Sequence, residues 1–270
     1  MSAVYAIGDI HGYYDRLVEL LRWDAVVIDS DLKWIGEDAT VCLVGDYFDR
    51  GPDGVSAIDL IMRLQKEAQA AGGRVVALLG NHDVWILAVH RFGRNPKTAL
   101  HRAFRNSWLR YGGMRSDLDR LTPQQVVWLS HCPVLILIDD RLLMHADGLF
   151  YAHYGNTIEQ ANQSVCNVLT EGDATAFDIL LDNFNGRYAF TEYDWYGARR
   201  ENHTMRAQRF LSTFGGKQII HGHTPIFRMS GEAPEEVVGP YTYADGLCVN
   251  IDHGLYKGGP GFVYLLPPLS

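Results

Sequence analysis

The chain has 270 residues, 47% of them apolar and 21% charged, with a formal net charge of −8. That length buries a sizeable core in one large domain or two small ones, and the balance is that of an ordinary soluble globular protein. No block of lysine and arginine appears, so neither nucleic acid nor a membrane surface is an expected partner.

Cysteine usage adds a further exclusion. Cys42, Cys132, Cys166 and Cys248 are dispersed and form no C-x-x-C pair, which argues against a zinc ribbon, a redox motif or a disulfide framework. Buried thiols in a reducing compartment are the expectation. The N-terminus has no basic stretch leading into an apolar one, and the longest clean apolar run, Val134 to Ile138, is far too short for a bilayer. These features point to the cytoplasm.

Short β-branched runs are expected to form strands at 4–7, 40–45, 75–80, 134–138, 142–145, 218–222, 247–251 and 261–266. Helical periodicity lies between the early ones. Tyr14, Leu17, Val18 and Leu21 share a face, as do Ala57, Ile58, Ile61, Leu64 and Ala68, and Gly72-Gly73 closes the second helix. Thr122 and Pro123 start another helix as N-cap and first-turn proline. The order β-α-β-α-β is that of an α/β protein. Segments 86–130 and 155–215 read as helical insertions, and strands dominate from about 217 onward. The expectation is one domain over 1–270, with two mixed β-sheets packed as a sandwich between helices.

Three early strands end in glycine followed by polar residues of metal-binding type. "GDIHG" supplies Asp9 and His11, "GDYFDRG" supplies Asp46, Asp49 and Arg50, and "GNHD" supplies Asn81 and His82. Later strands end at His145 in "LLMHAD" and at His221 and His223 in "IIHGHT". Ligands in open α/β sheets bind beyond the carboxyl ends of strands, so these turns converge on one rim. Nitrogen and oxygen donors without thiolate suit manganese, iron or zinc in a hydrolytic site. Two aspartates, an asparagine and two or three histidines exceed one ion's needs. Two ions bridged by one carboxylate account for the excess, and Asp46 is the natural bridge.

These stretches resemble the calcineurin-like metallophosphoesterases, in particular their phosphoprotein-phosphatase branch with its bacterial and phage members. "GDIHG", "GDYFDRG", "GNHD", "HAD", "GHTP" and "VNIDHG" follow that family's motifs in order from residue 8 to residue 254. The resemblance implies a four-layer αββα fold and hydrolysis of phosphomonoesters by in-line attack of a metal-bridging hydroxide. Asp9 and His11 would hold the first ion, Asp46 would bridge, and Asn81, His145 and His223 would hold the second. The ions would be manganese first, with iron, zinc, nickel or magnesium as alternatives. His82 would be the general acid, oriented by Asp49, which is expected to favour its charged form. Arg50 would bind phosphate oxygens.

Two departures stand out. Pro225 occupies the position where other branches carry a further histidine for the first ion, so water is expected to complete its coordination. Asp147 stands where small residues are usual, and a turn cap is its expected role. The resemblance implies a second phosphate-binding arginine between "HAD" and "GHTP", and Arg199 is the candidate there, with Arg200 beside it. "SWLRYGG" is expected to line the mouth of the site, and His221 and His253 to be structural neighbours rather than ligands. The resemblance implies a serine/threonine protein phosphatase. A dinucleoside tetraphosphate hydrolase is the alternative, and a non-catalytic metal-binding scaffold the remaining one. The substrates implied are a phosphorylated protein or a small phosphoester or nucleotide.

Overall fold

The structure, a computed structural model, describes residues 2–193, 196–197 and 202–267. The chain order begins β1 (Val4–Ile7), α1 (Tyr14–Glu19), β2 (Thr40–Leu43), α2 (Gly54–Ala71), β3 (Arg74–Ala77) and α3 (Asn81–Ala88). Helices α4 (Ala99–Arg110), α5 (Arg115–Arg120) and α6 (Pro123–Ser130) follow, then β4 (Leu135–Ile138) and β5 (Arg141–Met144). After α7 (Ile158–Glu171), α8 (Ala174–Phe184) and α9 (His203–Phe214) come β6 (Gln218–His221), α10 (Ile226–Ser230), β7 (Tyr241–Tyr243), β8 (Cys248–Asn250) and β9 (Tyr264–Leu265). The two segments read as helical insertions thus carry α4 to α6 and α7 to α9.

Two mixed sheets form. One has the order β3-β2-β1-β9, parallel except for β9, and the other the order β4-β5-β6-β8-β7 with β5, β6 and β8 parallel. Alternation along the strands explains the layers. Ala6, Cys42 and Val76 are in register and point between the sheets, where they meet Leu143, Ile220 and Val249. Their neighbours Ile7, Leu43 and Ala77 point outward into the helical core. Both faces are therefore apolar, which is why these strands read as continuous runs. Sandwich and flanking helices agree with the expected α/β architecture.

Local signals set the helix ends. In α2 the Asp53 carboxylate accepts from Ser56 N at 2.9 Å, and Gly72 stops the helix at φ 89°. Its face of Ala57, Ile58, Ile61, Leu64 and Ala68 is buried against β3, each large aliphatic side chain contributing about 1.5–3 kcal/mol. In α6, Thr122 and Gln125 cap each other reciprocally behind Pro123. Strand β7, Tyr-Thr-Tyr at the sheet edge, escapes sequence reading because none of its residues is buried and no apolar run marks it. Among the described residues, no helix is long and apolar enough to cross a membrane.

The consequence for function is positional. The carboxyl ends of β1, β2 and β3 lie beside those of β5, β6 and β8. Each of these six strands delivers polar residues just past its last residue.

Candidate metal centre

The turns after β1, β2 and β6 are tight and strained. His11, Asp46, Asp49, Arg50 and His223 all adopt positive φ, between 49° and 70°, which costs a side-chain-bearing residue roughly 1–3 kcal/mol. Such strain persists because neighbouring contacts over-determine it. Glycines make the close approach feasible. A Cβ at Gly80 would lie 2.2 Å from Asp46 Oδ1, and one at Gly222 would lie 2.2 Å from Asp9 Oδ1. Asp83, at the third position of α3, accepts from the backbone N–H groups of Asp46, Tyr47 and Gly80 at 2.8–2.9 Å and so ties the second motif to the third.

All six expected ligands are buried: Asp9, His11, Asp46, Asn81, His145 and His223. Asp46 sits at their centre with its two oxygens turned to different partners. Oδ1 lies 3.3 Å from His145 Nε2, while Oδ2 lies 3.5 Å from His11 Nε2. Asn81 Oδ1 is 3.1 Å from His145 Nε2 and 2.9 Å from His223 Nδ1. Asp9 Oδ2 is 3.8 Å from His11 Nε2. Two groups have ligand atoms mutually within 4.8 Å: His11, Asp46 and His82, and Asp46, His145 and His223.

Ring orientation is set from outside the cluster. His11 Nδ1–H donates to Phe48 O and His145 Nδ1–H to Val44 O, both at 3.0 Å. Each inner nitrogen therefore presents a lone pair. His145 Nε2 then faces Asn81 Oδ1 and Asp46 Oδ1 acceptor to acceptor, and that Asp46 oxygen also takes the His82 backbone N–H at 2.8 Å. His223 Nε2 and Asp252 Oδ2 are buried without a partner. Converging buried acceptors repel unless a cation or proton lies among them. The residues present therefore fit divalent ions.

Electrostatics agree. Burial pushes the Asp46 carboxyl up to about 7 and holds His145 down at about 3. Burial, and after it the Arg50 guanidinium, holds His11 and His82 well below the usual imidazole range. Burial followed by Arg187 does the same to His223. Neutral imidazole is the ligating form.

His82 donates from Nδ1 to Asp49 Oδ2 at 2.7 Å, and its Nε2 lies 2.9 Å from Arg50 Nη2. The sequence reading has Asp49 favouring the imidazolium. The structure reverses that balance, because desolvation and the adjacent Arg50 charge outweigh Asp49, whose own carboxyl is pushed well up by burial. Arg50 Nη1 also lies 2.6 Å from His11 Nε2, and its guanidinium stacks 3.9 Å from the Tyr256 ring centroid.

Several expectations change. Within the "SWLRYGG" segment Trp108 is buried rather than at a mouth, its Nε1 donating to Asp49 Oδ1 at 2.8 Å, while Gly112 O accepts from Arg50 N at 2.8 Å and Tyr111 is exposed. Asp147 does not cap its own turn. Its oxygens accept from Tyr188 N and Thr224 Oγ1, each at 2.7 Å, and so join two distant loops. Arg199 and Arg200 lie outside the described residues. Arg187, which the sequence did not single out, donates to His223 O and Thr224 Oγ1 at the site's edge. His221 is structural, held between Gly222 O at 3.0 Å and Tyr243 OH at 2.7 Å. His253 is buried against Phe262.

A family model for calcineurin-like phosphoesterases matches residues 2–227. The chain belongs to the calcineurin-like phosphoesterases. Within this family its motifs follow the phosphoprotein-phosphatase branch. It is similar to Shewanella-like protein phosphatase 1 of Plasmodium berghei, 37% identical over 130 residues, which is 44% of this chain and 35% of the relative. It is also similar to a symmetrical bis(5'-nucleosyl)-tetraphosphatase of Salmonella paratyphi A, 37% identical over 190 residues, which is 68% of this chain and 55% of the relative. The chain thus spans about a third to just over half of these curated relatives. A cold-active protein-tyrosine phosphatase of a psychrophilic Shewanella shares the fold, with a TM-score of 0.71 at 24% identity over 98% of this chain and 75% of the other. A calcineurin-like phosphoesterase works with divalent ions, and the ligand groups described above are the candidates to hold them.

Proposed function

We propose that this calcineurin-like phosphoesterase hydrolyses phosphomonoesters at two divalent ions, as a serine/threonine protein phosphatase does. Asp9 and His11 would hold the first ion, Asn81, His145 and His223 the second, and Asp46 both. The observation that carries this reading is the division of Asp46, one oxygen toward His145 and the other toward His11. Bound ions would lower the pKa of water and offset phosphate charge. Manganese is the proposed ion, with iron, zinc, nickel or magnesium as alternatives that the same oxygen and nitrogen donors accept.

The chain's own residues supply the rest. Arg50 presents a planar fork of donors, steadied by Tyr256, that suits two phosphate oxygens. Its turn toward phosphate would take its charge off His82 Nε2. His82 would then carry a proton to the leaving oxygen, its ring held by Asp49 and Asp49 held by Trp108. Among the described residues Arg187 is the proposed second phosphate-binding arginine, and Arg199 lies outside them. Its place beside the His223 turn supports that role.

A second reading, hydrolysis of a dinucleoside tetraphosphate, is favoured by one observation. A cavity of about 670 Å3 adjoins the Arg187 loop, lined by Tyr188, Tyr193, Tyr241, Tyr243, Arg228 and Met229. Tyrosine faces and an arginine suit a stacked nucleobase. The cytoplasm is the proposed compartment, in keeping with free thiols at Cys42, Cys132 and Cys248.

The test compares kcat/KM of the manganese-loaded chain on a phosphothreonine peptide and on a dinucleoside tetraphosphate. The phosphopeptide is expected to be faster. The reverse order selects the second reading, and activity on both that persists after chelation overturns the metal-dependent reading.

A further inference from the structure

The turn after β8 brings one more carboxylate to the cluster. Asp252 follows that strand by two residues, and its backbone packs so closely on Gly8 that a Cβ there would lie 3.2 Å from Asp252 Cα. The residue is 1% exposed. Its Oδ1 accepts from Gly254 N at 3.0 Å, while Oδ2 is buried with no donor facing it. Gly8 is the neighbour of Asp9, and burial first and then the Asp252 charge raise the Asp9 carboxyl. Asp9 already uses both oxygens to accept from His223 N, at 3.1 and 3.2 Å. Two buried carboxylates side by side, one with an unpartnered oxygen, need positive charge beside them, of which Arg50 supplies part.

The position of this pair matters. Asp9 and His11 form the side of the cluster that lacks a second histidine, since Pro225 stands in the "GHTP" turn. We infer that Asp252 is a third carboxylate of the Asp9–His11 ion site, facing that ion directly or through one water. The inference rests on the reading that Asp9, His11 and Asp46 hold a divalent ion. A purely local role would end at the Gly254 hydrogen bond.

Asp252→Asn separates the two roles, because the amide keeps an oxygen for Gly254 N and removes the charge. Chelator-stripped full-length chain is titrated with Mn2+ by calorimetry, with Asp9→Asn as the reference variant. Two ions are expected to bind the unaltered chain. In Asp252→Asn one of the two should weaken about tenfold or more while the other is unchanged, and Asp9→Asn should weaken the same one. Outer ligand partners carry about 10–100-fold in metal affinity, so the effect is well within reach. Wild-type affinity at both sites in Asp252→Asn, with one site lost in Asp9→Asn, overturns the inference and leaves the metal-site reading standing. An unaltered chain that binds no ion, or an Asp9→Asn chain that loses none, overturns the underlying reading and the inference with it. The stripped Asp252→Asn chain should melt no lower than the unaltered one. Should it melt lower, Asp252→Ser, which also keeps an acceptor near Gly254, carries the same titration.

Discussion

His82 and Asp49 form a buried pair, Nδ1 to Oδ2 at 2.7 Å, and Trp108 donates to the other Asp49 oxygen at 2.8 Å. The ring therefore has one orientation, with Nε2 directed at Arg50. This fixed orientation supports the proposed role of His82 as proton donor to the leaving group. His82→Ala should lower kcat by about 10²–10⁴ on an alkyl phosphate. The loss should be much smaller on nitrophenyl phosphate, whose leaving oxygen needs no proton. Steady-state kinetics on both substrates, with metal content measured alongside, checks this. An equal loss on the two would assign His82 to the metals instead.

The buried carboxyls set a pH dependence for metal binding. Burial raises Asp46 to about 7 and Asp252 to about 6 in the metal-free fold. A raised carboxyl binds a proton in the folded chain that the unfolded chain has already lost. The ion must therefore displace that proton at lower pH. The histidine ligands do not oppose the trend, since burial holds them below their usual range. Mn2+ affinity and the accompanying rise in melting temperature should both be larger near pH 8 than near pH 6. Calorimetry and thermal unfolding at the two pH values measure it. A flat profile would mean Asp46 is ionised throughout.

Much of the fold and the ligand set is legible in the sequence because the information is local. Strands buried on both faces are continuous apolar runs, and Asp9, Asp46, Asn81, His145 and His223 lie within four residues of strand ends. What stayed hidden depends on contacts between remote segments. Arg187 meets His223 across 36 positions, Asp147 meets Tyr188 across 41, and Trp108 meets Asp49 across 59. No periodicity reports such pairings. Positive φ at Asp46, Asp49 and Arg50 is equally silent, since only glycine and asparagine advertise it. The reversed charge preference of His82 follows from desolvation, which depends on everything packed around the ring.

Arg187 offers a sharp contrast with Arg50. It is half-buried, donates to the backbone of the His223 turn, and lies on a loop anchored by Asp147 through Tyr188 N. A guanidinium placed so would contact phosphate at the outer edge of the site. Arg187→Ala should raise KM about tenfold and lower kcat less, in keeping with about 1.5–3 kcal/mol for a charge-assisted hydrogen bond. Arg187→Lys should restore only part of the loss, because a point charge lacks the fork. Inhibition by inorganic phosphate should weaken in parallel. An unchanged KM and unchanged phosphate inhibition would leave Arg187 a purely structural tie between loops.

Asp83 is the residue whose loss should reach both stability and metal binding. Oδ2 accepts from Asp46 N and Gly80 N, and Oδ1 from Tyr47 N, at 2.8–2.9 Å in a fully buried setting. Those three N–H groups belong to the turns that deliver Asp46 and Asn81. In Asp83→Ala they have no acceptor, and a buried donor left unmade costs about 1–3 kcal/mol. The sum, discounted for relaxation between neighbours, is about 3–5 kcal/mol. In a chain of this size that is a fall in melting temperature on the order of 10 °C. Asp83→Asn keeps one acceptor oxygen but turns an N–H2 toward a backbone donor, so about 1–3 kcal/mol is expected there. Both variants should bind Mn2+ more weakly, because a relaxed Asp46 backbone no longer divides its carboxylate between the two histidine groups. Thermal unfolding with and without chelator, together with Mn2+ titration, measures the two effects. Normal Mn2+ affinity in a destabilised Asp83→Asn would show that the Asp46 turn holds its shape without the Asp83 tie.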